Sequence, residues 1–128
     1  MTRNDLEKSF FLRGELSSQR EELQRLKSAS LVQSPRFGGI RSTVRIDKVA
    51  ARANNIVDLE ASIKQTSALL DEVHGFIQNI PDPLLRSILE NKWWNNFTWE
   101  QTSKLLGASS PDSIRKRYSR FAKNAFLS

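Results

Sequence analysis

The stretch Thr98-Trp-Glu-Gln-Thr-Ser-Lys-Leu-Leu-Gly107, followed after a short turn by Ile114-Arg-Lys-Arg-Tyr-Ser-Arg120, decides the fold. Thr98 is a good N-cap and Gln101 stands three residues on, so the spacing predicts a capping-box helix starting there. Leu105, Leu106 and then Gly107 mark its end, because glycine takes the left-handed conformation that a helix stop needs. Ser110 and Pro111 restart a helix, with Ser110 as N-cap and Pro111 at the first helical position, where its missing N–H costs nothing. A short helix, a tight turn and a second, basic helix together predict a helix-turn-helix with its recognition helix at the C-terminal end.

The basic helix divides into two faces. Ile114, Tyr118, Phe121 and Ala125 recur at spacings of four, three and four, which predicts packing on Leu105 and on the helix expected from Pro83 to about Trp94. Ser113, Arg115, Lys116, Ser119 and Lys123 fall on the other face, with Arg117 and Arg120 on its flanks. Five basic residues occur between Ser113 and Lys123 with no acid among them. Arginine can read guanine edges bidentately, while lysine and serine mostly hold phosphates. The expected DNA-binding set is Arg115, Lys116, Ser119, Arg120 and Lys123, with Ser113 and Arg117 next. A solvated helix face beside a protein partner is the alternative.

Upstream, Pro81 and Pro83 end a long helix, and Asp82 caps a third helix with Pro83 at its first position. That helix is expected to run through Leu84, Leu85, Ile88 and Leu89 to about Trp94, with Asn95-Asn96 as the turn. Trp93, Trp94 and Trp99 crowd into seven residues. At least two of them are expected to be core. Adjacent helical residues point ~100° apart, so Trp93 and Trp94 are not expected to face one core together. One of the two is therefore a candidate contact for a protein partner, since aromatics are enriched at interfaces.

Residues 3 to about 28 have helical character, with Leu12, Leu16, Leu23 and Leu26 on one stripe and Glu21 one turn from Arg25. One apolar stripe cannot stand alone in water, so this helix needs a partner. From Ser28 to Ser42 the pattern breaks into serines, Pro35, Gly38 and Gly39 with Arg36 and Arg41, the composition of a mobile connection. A basic arm entering a DNA groove is the alternative for that segment. The long helix that follows carries Val49, Ile56, Ile63, Leu70 and Ile77 seven apart, with Leu59, Val73 and Ile80 at the second seam position. Arg52 and Thr66 interrupt that second position. Some 35 residues of helix would be ~50 Å long. Such a helix either folds back on the first as an αα-hairpin or dimerises along the heptad; a hairpin with some self-association is expected.

The bulk numbers fit this division. The chain has 128 residues, 38% hydrophobic and 27% charged, an ordinary globular mixture. No apolar run approaches the ~20 residues that span a membrane. Asp5 and Glu7 beside Arg3 and Lys8 do not resemble a secretion signal. There is no cysteine, which excludes disulfides and effectively excludes zinc-finger ligation. The net charge of +6 is uneven: +1 over residues 1–30, +4 over 31–52, −4 over 53–100 and +5 over 101–128. A basic end joined to an acidic middle favours a polyanion bound at defined places. His74, the only histidine, lacks the neighbours of a metal site or a triad, and no glycine-rich phosphate loop occurs. No enzymatic activity, cofactor or metal is expected.

The segment from Leu84 to Ala125 resembles region four of bacterial sigma factors. The T-x-x-E-I-A-x-x-L-G pattern of that family appears as Thr98, Gln101, Thr102, Ser103, Leu106 and Gly107, and its basic helix as Ile114 to Arg120. Gln101, Thr102 and Ser103 replace the usual Glu, Ile and Ala, and the turn from Gly107 to Ile114 is one residue longer. The whole chain resembles phage and prophage late-gene regulators of the ArpU/RinA type, with Asp47, Lys48, Asp58, Leu59 and Glu60 matching their middle section. The resemblance implies binding to double-stranded promoter DNA in the cytoplasm of a bacterial host cell, with contact to RNA polymerase as a further implication.

The expectation is an all-α protein. Residues 1–80 would form a helical hairpin or coiled-coil part and 81–128 a helix-turn-helix DNA-binding domain, with a homodimer through the long helix. Two rival functions remain: a module that docks on host RNA polymerase or another host protein without reading DNA, and the small DNA-recognition subunit of a phage packaging terminase.

Overall fold

The computed structural model describes residues 1–32 and 42–126, with side chains described for 1–29 and 50–126. Among them the chain is all-α. Six α-helices follow one another: α1 (Arg3–Glu7), α2 (Ser9–Val32), α3 (Ser42–Gln78), α4 (Pro83–Leu89), α5 (Trp99–Leu106) and α6 (Pro111–Ala125), with a π-helical turn at Glu90–Trp94 after α4. The helix expected over 3–28 is interrupted at Lys8 and runs on to Val32, past the serine where the apolar pattern lapses. Of the connection expected over 28–42, residues 33–41 lie outside the described residues, as do the side chains of Asp47, Lys48 and Val49.

The chain forms two compact units that the helices thread through. One comprises Met1–Arg13 with Ala68–Ser128, the other Gly14–Ser67. This differs from a division into 1–80 and 81–128. The reason is that Leu6 from α1, Val73 and Ile77 from the end of α3, and Ile80 just after it belong to the same core as Leu85, Ile88, Leu89, Ile114, Tyr118 and Ala122. The heptad series of α3 thus serves two environments. From Leu70 onward its seam residues are buried in the first unit, whereas Ile56, Leu59 and Ile63 in the second are half-buried.

Within the second unit, Leu16 is the only buried side chain among those described. Gln19 on α2 donates to Ser62 Oγ on α3 at 2.9 Å, and Lys27 pairs with Glu60 at 3.4 Å. Gln19 Oε1 is buried with no hydrogen-bond partner. A buried polar atom left unpaired works against stability, and two helices alone offer little apolar burial to offset it.

In the first unit the local stops and starts are as the residues dictate. Thr2 and Asp5 form a capping box at α1. Asp82 caps α4 by accepting from the Leu84 N–H at 3.0 Å, with Pro83 at the first position. The helix then widens: Asn95 N–H donates to Glu90 O, five residues back, at 2.9 Å. Such π-turns occur mostly as single turns within α-helices. The chain leaves it through Asn96, whose φ is +60°, a conformation that asparagine tolerates better than most residues.

Candidate nucleic-acid interface

Thr98 and Gln101 make the reciprocal capping box of α5, with N–H to side-chain oxygen distances of 3.0 and 3.1 Å. Gly107 ends α5 in the left-handed region at φ +65°. Ser110 Oγ accepts the Ser113 N–H at 3.2 Å to start α6, with Pro111 at the first position. Residues 107–110 are therefore a tight turn between two capped helices that pack on each other.

Two positions where the sigma-factor pattern has Ile and Ala hold hydroxyls here, and both are buried. Thr102 Oγ1 donates to Thr98 O at 2.8 Å and Ser103 Oγ donates to Ala108 O at 3.4 Å. Each polar group satisfies itself against nearby backbone, so the helix can bury them.

α6 presents Ile114, Tyr118 and Ala122 to the core, with Phe121 half-buried beside them. Ala125 is exposed and Ala122 takes its place, because the buried stripe keeps a four-residue step where three-then-four was expected. Leu105 is likewise exposed, and Leu106 packs on the core instead. Tyr118 is 2% exposed, and its hydroxyl donates to Glu7 Oε1 at 2.8 Å. Burial, reinforced by that carboxylate, pushes the phenol far above its ordinary range. The Arg3 guanidinium, 2.9 Å from Glu7, lies 5.6 Å from the centre of the same ring. α1 is thereby fastened to α6.

All seven residues expected to contact DNA are exposed: Ser113, Arg115, Lys116, Arg117, Ser119, Arg120 and Lys123. They are not equivalent. Arg117 reaches back to Asp82 Oδ2 at 2.5 Å, while the other oxygen of that carboxylate caps α4. The Arg117 guanidinium, with the Leu85 and Leu84 N–H groups adding to it, holds the Asp82 carboxyl below the usual range. Arg115 is paired with Asp112 at 2.6 Å, three residues back on its own helix. Lys116, Arg120 and Lys123 make no ion pair among the described residues. Spacings of four and three put these three along one side of α6. The Asp112 pairing follows an i,i+3 spacing visible in the sequence, whereas nothing local in the sequence announces Asp82 as a partner of Arg117.

Trp93 and Trp94 both pack against the core and both are half-buried, so the expectation that one must face away does not hold. The reason is that partners come from two sides of the π-turn. Trp93 meets Trp99 and Tyr118, with ring centres 6.0 and 5.3 Å away. Trp94 stacks on His74 at 4.8 Å and lies 4.7 Å from the Arg13 guanidinium, which also donates to the Trp94 carbonyl at 2.9 Å. Ser9 Oγ donates to the Trp93 carbonyl at 2.9 Å. The widened turn leaves carbonyls that α2 side chains can reach.

Among the described residues, no group of three His, Cys, Asp or Glu side chains could hold a metal ion, and no helix is long and apolar enough to cross a membrane. No protein-family model, curated protein or solved structure matches the chain.

Proposed function

We propose that the chain is a DNA-binding transcription regulator in which α5, the turn at 107–110 and α6 act as a helix-turn-helix, with α6 laid on double-stranded promoter DNA. The observation that carries this is the division of α6. Its Ile114, Tyr118 and Ala122 side is buried, while Lys116, Arg120 and Lys123 point outward without acidic partners among the described residues. A row of cations on one helix suits a polyanion, and the exposed Ser113 and Ser119 add hydroxyls for phosphate or base edges. Arg117 acts here by positioning: its bond to the α4 cap fixes how α6 lies on the rest of the unit. The sigma-like motif at Thr98–Gly107 supports a role at promoters, as in phage late-gene activation. The half-buried α3 seam over 56–63 supports pairing of two copies through the long helix.

The experiment is a salt titration of duplex binding by the full chain, with Lys116→Glu/Arg120→Glu as the variant. Three phosphate contacts give a log-log slope of about −2.7. The variant should lose binding while keeping its helicity and melting temperature. A wild-type slope near zero, or a variant that binds normally, would overturn the proposal and favour docking on a protein.

A further inference from the structure

Beside α6 lies an open groove of about 960 Å³, walled by the first residues of the chain on one side and the second half of α6 on the other. Its polar lining is Thr2, Arg3, Asn4, Ser119 and Lys123, and Phe126 contributes to its apolar part. Among the described residues no carboxylate lines it, although α1 carries two. Asp5 is turned to accept the Thr2 N–H at 2.8 Å, and Glu7 is held by Arg3 and the Tyr118 hydroxyl. The acids of α1 are thus used inside the unit, while its Arg3 and Asn4 remain toward the groove. Ser119 and Lys123 belong both to this groove and to the outward face of α6, so the two surfaces are continuous.

We propose that this groove is a second nucleic-acid contact, taking the sugar-phosphate backbone that flanks the segment lying on α6. The inference rests on the DNA-binding reading above. The chemistry is that of a sequence-independent positioning contact: a cation and amide or hydroxyl donors around phosphate oxygens, with no base edge needed. Asn4 and Lys123 supply donors, together with the Arg3 guanidinium nitrogens that the Glu7 pairing through Nε leaves over. α1 is then part of the interface as well as part of the core, and the footprint extends past the end of α6.

Asn4 tests this cleanly, because it is exposed, lies in the first turn of α1 and has only its backbone in the helix ladder. Asn4→Asp and Asn4→Lys are compared with wild type for binding of a random-sequence duplex by fluorescence anisotropy, from about 50 to about 200 mM salt. Asn4→Asp should weaken binding about fivefold at the low-salt end and Asn4→Lys strengthen it about fivefold. The lysine variant should also steepen the log-log slope by about one. Opposite shifts from two substitutions at one exposed site are not what a folding defect produces. If Lys116→Glu/Arg120→Glu abolishes binding while both Asn4 variants match wild type, the groove proposal falls and the α6 reading stands. If the double variant binds normally, both fall. If the Asn4 variants change affinity for a polyglutamate peptide but not for duplex, the groove is a peptide site and the proposal is overturned.

Discussion

Replacing Leu6 by alanine tests whether the start of the chain is structural for the unit that carries α6. Leu6 is fully buried, in one core with Val73, Ile77, Ile88 and Tyr118. Leucine-to-alanine changes at such sites cost about 2.7–5.0 kcal/mol, according to how far the cavity collapses. The neighbours here come from three other segments, α3, α4 and α6, and no one of them can move in without disturbing the others, so at least about 3 kcal/mol is expected. Against a total of about 5–15 kcal/mol for a typical domain that is a large share. It translates into a drop of roughly 12–24 °C in melting temperature for a domain of this size class. Thermal denaturation of the full chain, followed by circular dichroism and by tryptophan fluorescence, reads it, since all three tryptophans lie in this unit. Leu23→Ala, at a half-buried position in the other unit, is the control and should cost at most about half as much. A Leu6→Ala protein melting within about 4 °C of wild type would refute the reasoning. So would a fragment of residues 81–128 that melts as cooperatively as the whole.

Tyr118→Phe should lower stability by about 1 kcal/mol at neutral pH through loss of the bond to Glu7. It should also change the alkaline limb. The phenol's folded pKa is raised, so its contribution is complete below the unfolded value of about 10 and is lost as pH climbs through the folded one; denaturant midpoints from about pH 9 to 12 should decline less steeply in the variant. Gly107→Ala should cost about 1 kcal/mol in chemical denaturation, because the left-handed φ of +65° penalises any Cβ. Its added methyl meets nothing within 4 Å, so a much larger loss would point to a clash that the structure does not contain.

What the sequence made legible was governed by near neighbours. Thr98 with Gln101, Gly107, Ser110 with Pro111, and Asp82 with Pro83 each act within four residues, and every one of those caps is present. The exposure of the seven charged and hydroxyl residues of α6 follows from the same short-range periodicity. What escaped depends on distant segments. Leu6 is an ordinary helical leucine until α6 and the end of α3 meet it, and Asp82 is an ordinary cap until Arg117 arrives. Ala122 and Ala125 are alike in hydrophobicity, so only the position of the surrounding helices decides which is buried. The π-turn at Glu90–Trp94 has no strong composition of its own, and without it the two adjacent tryptophans cannot be placed.

The bond between Glu7 and Tyr118 joins residues 111 positions apart. On a ribosome adding about 5–20 residues each second, the first of the pair waits roughly 6–22 seconds for the second. Throughout that interval Leu6 has no finished cavity to enter, and the helix that would carry the positive charges has no bed to lie on. Two helices far apart in the order of synthesis must therefore meet before the unit closes, so a chain that stops short of α6 can neither complete the core nor display the cations.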